Sequence, residues 1–130
     1  MSEPPSFASP AEYAAAFGEF VRGEARMEPF RDYHQANVET SFAYLADLQR
    51  LLFDTGWSRL GWPPSVGGLG GDPVFRAAMF ETLSNHGVPL PEGYLTLEIL
   101  APVLLVHAPH LAEAFLPQLL RVDDFWCQAF

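Results

Sequence analysis

The sequence has no lysine and a single cysteine, Cys127. One cysteine excludes an internal disulfide, so packing and hydrogen bonds must hold the chain together; it also fits a reducing compartment. Without lysine, seven arginines stand against sixteen acids, a net charge of −9. A surface of that sign repels phosphate backbones and anionic lipid, which argues against nucleic-acid and membrane partners. Long apolar runs are missing as well. The longest, Ile99 to Val106, is interrupted by Pro102 and falls far short of the roughly 20 residues of a membrane-spanning helix. The first ten residues carry neither a basic nor an apolar targeting region, and a cytoplasmic protein is the expectation.

What is present describes a globular chain. At 130 residues, 49% hydrophobic and 18% charged, it has the size and composition of one domain with its own core. Residues 1–8 read as a disordered lead-in. Ser9-Pro10-Ala11-Glu12 is a helix start, with serine as cap, proline at the first helical position and an acid three residues on. Tyr13, Phe17, Phe20 and Val21 then share one face of a helix that ends near Gly23 to Arg26. A second helix carries Val38, Phe42, Leu45, Leu48, Leu52 and Phe53 on its inner face. Glu39, Asp47, Gln49 and Arg50 lie on the other side, and Gly56 is placed to end it.

Residues 56–71, GWSRLGWPPSVGGLGG, hold six glycines and two prolines, which excludes regular structure; its two tryptophans suggest a packed loop. Asp72-Pro73 restarts a helix, with Phe75, Ala78, Met79 and Leu83 inside and Gly87 at its end. The apolar stretch Tyr94–His107 reads as helix, kinked or divided at Pro102, with a buried strand over 103–106 as the alternative. Pro109 opens a last helix with Leu111, Ala114, Phe115 and Leu119 inside, after which Arg121 to Phe130 runs extended. The expected fold is all-α, an orthogonal or up-down array of five to six helices over residues 9–122, followed by an extended segment 123–130.

No catalytic constellation stands out. His107, His110 and Glu113 have the three-residue spacing of helical metal ligands, but Pro109 interrupts the geometry, so solvated polar residues at a helix start are the simpler reading. His34 and His86 are isolated and suit surface or capping roles. Asp123 and Asp124 are adjacent on an extended chain and point apart. Cys127 has no nearby cation or helix N-terminus to favour its thiolate. The run GGLGGD lacks the Lys-Ser/Thr of a phosphate-binding loop. No catalytic residue and no metal ligand is assigned.

Five segments in order nevertheless resemble one family. Gly56-Trp57, Trp62-Pro63 and Gly67-Gly68-x-Gly70 resemble the signature loop in the N-terminal helical domain of acyl-CoA dehydrogenases. DPVFRAAMFETLSNHGVPL resembles the family's next helix, with Glu81 at an acidic position. ILAPVLLVHA resembles the helix beneath the acyl chain, AFLPQLL the helix end before the flavin segment, and WCQAF the stretch leading to Ser/Thr-Glu-Pro and a β-domain. The resemblance covers about residues 12–130. Two departures stand out. Pro64 and Ser65 replace a Glu and an aromatic. His107-Ala108-Pro109-His110-Leu111 replaces Gly-Thr-x-x-Gln, which removes a helix cap.

The resemblance implies the N-terminal domain of an FAD-dependent enzyme that desaturates an acyl-CoA thioester between Cα and Cβ, in fatty-acid or lipid metabolism. The remaining domains, including the one with the catalytic carboxylate, lie outside these residues. It implies flavin contacts at Gln128, Ala129 and Phe130, and acyl-pocket residues Tyr94, Leu97, Glu98 and Ala101. It also implies a homo- or hetero-tetramer and an electron-transfer flavoprotein as acceptor. The alternative is a non-catalytic helical interaction module or a flavin-free partner subunit of a heteromeric dehydrogenase.

Overall fold

The computed structural model describes residues 6–34, 37–127 and 129. Five α-helices follow in order: α1 Pro10–Gly23, α2 Val38–Asp54, α3 Val74–Asn85, α4 Glu92–His107 and α5 Pro109–Arg121. Short 3-10 turns span Ala25–Phe30 and Pro64–Val66. Among the described residues there is no strand, only an isolated parallel bridge between Leu60 and Gly70. The all-α expectation is met.

The helix ends follow local chemistry. The Ser9 hydroxyl accepts from the Glu12 N–H at 3.1 Å, and the Glu12 carboxylate reaches back to the Ala8 N–H at 2.8 Å. These bonds satisfy amides that the first turn leaves without partners. Asn37 caps α2 through the Thr40 N–H at 2.8 Å. Just ahead of α3, the Asp72 carboxylate accepts from the Val74 N–H at 2.9 Å. Helix α5 starts from Ala108 with no side-chain cap, as its departure from the family pattern implies.

Helix α1 packs on α3, α4 on α5, and α2 against both α4 and α5. At the α1–α3 end, Tyr13, Phe17, Trp57 and Phe75 form an aromatic nucleus with ring centroids 5.1–5.7 Å apart. The Tyr13 hydroxyl donates to the Trp57 carbonyl at 2.8 Å. The loop after α2 folds back on itself. Leu69 N–H donates to Arg59 O, Gly61 N–H to Gly70 O and Gly70 N–H to Trp62 O, all at 2.8–2.9 Å. The stretch is therefore more ordered than its glycine content suggests, with one helical turn and one bridge.

Three expectations about faces are corrected. Val38 is 74% exposed, because it sits in the first turn of α2, beyond the reach of the other helices. Gln49, expected outside, is wholly buried. Its amide donates to the carbonyls of Leu119 and Leu120 at 3.1 and 3.2 Å, satisfying acceptors in the last turn of α5. On α5 the buried residues are Ala112, Leu116, Leu119 and Leu120, while Leu111 and Phe115 are about 40% exposed. Two adjacent stripes of α5 are apolar, so periodicity alone cannot choose between them. Pro102 neither divides α4 nor starts a strand; the helix runs through it, at the cost of one intrahelical bond to the Glu98 carbonyl.

Candidate functional site

Helix α4 is apolar on every side, yet only one face is covered. Tyr94, Leu97 and Ala101 point into the core, while Leu95, Ile99, Val103 and Val106 are 50–73% exposed. These four step by three or four residues, so they form one continuous outward stripe. An exposed apolar stripe of that length marks a surface that something else covers. A groove of about 470 Å³ runs along it, with Leu95, Thr96, Ile99 and Val103 on one side and Phe125, Trp126 and Cys127 on the other. Its volume lies in the range of small-molecule sites.

The far wall is the segment after α5, residues 125–127. Val122 takes a left-handed conformation (φ 60°) that ends α5, and the N–H groups of Asp123 and Asp124 both donate to the Gln118 carbonyl. The chain then runs along the helices. The Phe125 ring meets Phe42 of α2 edge-on at 4.5 Å, and the Trp126 ring packs on Phe115 of α5 at 5.5 Å. The Thr96 hydroxyl donates to the Trp126 carbonyl at 3.4 Å.

Of the residues that the resemblance assigns to an acyl pocket, Tyr94, Leu97 and Ala101 are on the inner face of α4 and do not line the groove. Glu98 is half-buried in a bidentate pair with Arg76, whose guanidinium also lies 3.9 Å over the Trp62 ring. None of the four lines the groove. Spacing cannot orient a helix that is apolar all round. Burial raises the Tyr94 phenol well above its ordinary range and keeps it neutral. The Ser58 hydroxyl beside it forms no hydrogen bond of ordinary geometry with it. Ala129 is exposed, and Gln128 and Phe130 lie outside the described residues.

The other candidates are dispersed. His107, His110 and Glu113 are exposed, and no three His, Cys, Asp or Glu among the described residues gather as a metal site would require. His86 bridges the Thr82 carbonyl and Arg22, tying α3 to α1. Asp123 pairs with Arg121 and not with Asp124. Cys127 is exposed at the groove.

The cations are all engaged. Arg26, Arg50, Arg76 and Arg121 pair with carboxylates. Arg31 donates to the carbonyls of Val21 and Glu24, Arg59 to that of Gly67, and Arg22 meets His86. The sequence holds no lysine.

The described residues thus form an all-α domain with an open apolar groove along α4. Over residues 11–123 the chain matches the N-terminal domain of acyl-CoA dehydrogenases, and it belongs to that family. It is 33% identical over 76 residues to the acyl-CoA dehydrogenase IpdE1 of Mycolicibacterium smegmatis, covering 58% of this chain and 19% of that protein. Its similarity to the acyl-CoA dehydrogenase FadE29 of Mycobacterium tuberculosis is 32% over 111 residues, covering 85% of this chain and 26% of that protein. The chain thus spans only about a fifth to a quarter of the curated relatives it matches. No solved structure matches it significantly. No helix of the described residues is long and apolar enough to cross a membrane.

Proposed function

We propose that this chain is the N-terminal domain of an FAD-dependent acyl-CoA dehydrogenase and supplies one wall of the acyl pocket and one edge of the flavin site. The observation that carries this is the outward stripe of Leu95, Ile99 and Val103 facing the segment Phe125–Cys127 across one groove. In this reading the acyl chain lies along the stripe, where apolar side chains bind it and exclude water. Tyr94, Leu97 and Ala101 act from behind, fixing where α4 sits. The Glu98–Arg76 pair anchors the middle of the helix to α3.

The residues present fit a flavin ring edge: Trp126 and Cys127 line one side of an apolar groove. The groove lining holds no arginine to meet the pyrophosphate of FAD or the phosphates of coenzyme A. Those anions must be held by the rest of the protein. FAD, when bound, supplies the acceptor for the hydride removed from Cβ. The segment 123–130 leads toward the remaining domains, where the base that takes the α-proton resides. The family further suggests lipid metabolism, a homo- or hetero-tetramer and an electron-transfer flavoprotein as acceptor.

The test uses the full-length protein. It is expected to purify yellow, with about one FAD per chain, and to bleach when acyl-CoA is added without oxygen. A colourless full-length protein favours the flavin-free partner subunit instead.

A further inference from the structure

The segment Phe125–Cys127 is fastened by three helices, and one of those contacts belongs to the groove. Phe125 is held by Phe42 and the Trp126 ring by Phe115, both through apolar faces. The third contact is polar: the Thr96 hydroxyl, itself in the groove wall, donates to the Trp126 carbonyl. A threonine within a helix ordinarily returns its hydroxyl to the carbonyl four residues back. Thr55 does so to Leu51 at 2.6 Å, and Thr82 to Ala78 at 2.7 Å. Among the described residues, the Thr96 hydroxyl is instead turned outward, with the Trp126 carbonyl as its partner at 3.4 Å.

We infer that Thr96 is a positioning residue that sets the spacing between the acyl-binding face of α4 and the chain that leads to the flavin edge. This inference rests on the proposed function and deepens it. An occupant lying on Leu95 and Ile99 touches the helix that carries Thr96. The bonded carbonyl is two residues before Gln128, one of the expected ring contacts. Spacing between an acyl chain and a ring edge is a quantity to which hydride transfer is steeply sensitive; a displacement of about 1 Å can cost on the order of a hundredfold in rate. At 3.4 Å the bond is long, so it adds little to the stability of the fold. The two aromatic contacts keep the segment attached without it. Its role is register.

The experiment compares Thr96→Val and Thr96→Ser in the full-length FAD-loaded protein. Valine keeps the shape and removes the hydroxyl; serine keeps the hydroxyl. The readouts are thermal midpoint, FAD content, kcat and KM, and the shift of the flavin absorption band on binding an enoyl-CoA product, which does not turn over. Thr96→Val is expected to keep its midpoint and FAD and to show a reduced ligand-induced band shift. Its kcat is expected to fall roughly two- to fivefold at nearly unchanged KM, and Thr96→Ser to restore both. A Thr96→Val protein with the wild-type band shift and kcat overturns the inference. So does a variant that loses its fold or its FAD, since the hydroxyl is then structural, and so does failure of serine to rescue. Wild-type protein without FAD overturns the proposed function itself, and this inference with it, before any variant is made.

Discussion

Gly68→Ala is expected to destabilise the domain by about 3 kcal/mol or more, a fall in thermal midpoint of roughly 10 °C or greater. A Cβ at this position would sit on the Trp62 carbonyl group and 2.7 Å from the Trp62 Cβ. The obstacle is backbone, which cannot rotate away as a side chain would. The Gly68 N–H donates to the Pro63 carbonyl at 3.0 Å, so the two arms of the loop are already as close as hydrogen bonding allows. Forcing them apart would move Trp62, which is 3% exposed, and the Arg76 guanidinium stacked on it. Gly70→Ala is the control. It has a left-handed backbone (φ 80°) but nothing within 4 Å of its Cβ position, so its cost is conformational strain alone, about 1–2 kcal/mol. Thermal unfolding of the two variants separates close approach from strain; equal losses would mean that the Trp62 contact does not limit the loop.

The second large effect is one whose sign depends on its neighbour. A Cβ at Gly93, in the first turn of α4, would come within 3.0 Å of the Gln49 Cδ and closer still to its Oε1. Gln49 is fully enclosed, so it can yield only by breaking its bonds to the Leu119 and Leu120 carbonyls. Gly93→Ala is therefore expected to cost about 2–3 kcal/mol. In a Gln49→Ala background the obstruction is gone. The same substitution should then be neutral, or stabilise by up to about 1 kcal/mol through helix propensity. A double-mutant cycle from denaturant unfolding reads this directly. Additive losses would show that α2 and α4 do not meet through this pair.

Helix starts were the most legible feature of the chain, because Ser9-Pro10 and Asp72-Pro73 state their chemistry within a few residues. The cap at Asn37 carried the same kind of signal and was missed beside the more conspicuous apolar repeat that follows it. Glycine placement in the loop after α2 was legible as a family resemblance, although Gly68 owes its necessity to Trp62, which only the folded loop brings against it. What stayed hidden was orientation. Helices α4 and α5 have more apolar residues than one face can use, so their sequences leave open which stripe meets the core. Tyr94, Leu97 and Ala101, which the resemblance assigns to an acyl pocket, point inward, while the groove is lined by Leu95, Ile99 and Val103. Gln49 stayed hidden for the opposite reason. A polar residue reads as solvated unless the carbonyls it serves, 70 residues away, are known to be there.

The proposed function makes the outward face of α4 the wall of an acyl pocket. Its most direct test is the acyl-CoA preference of full-length protein carrying Ile99→Trp. Ile99 is 50% exposed, so the larger ring reaches into the groove without entering the core. Unchanged FAD content and thermal midpoint are expected, with kcat/KM for the longest or bulkiest acyl-CoA falling roughly tenfold or more relative to the smallest. An activity profile parallel to that of the wild type across the whole acyl-CoA series would contradict it.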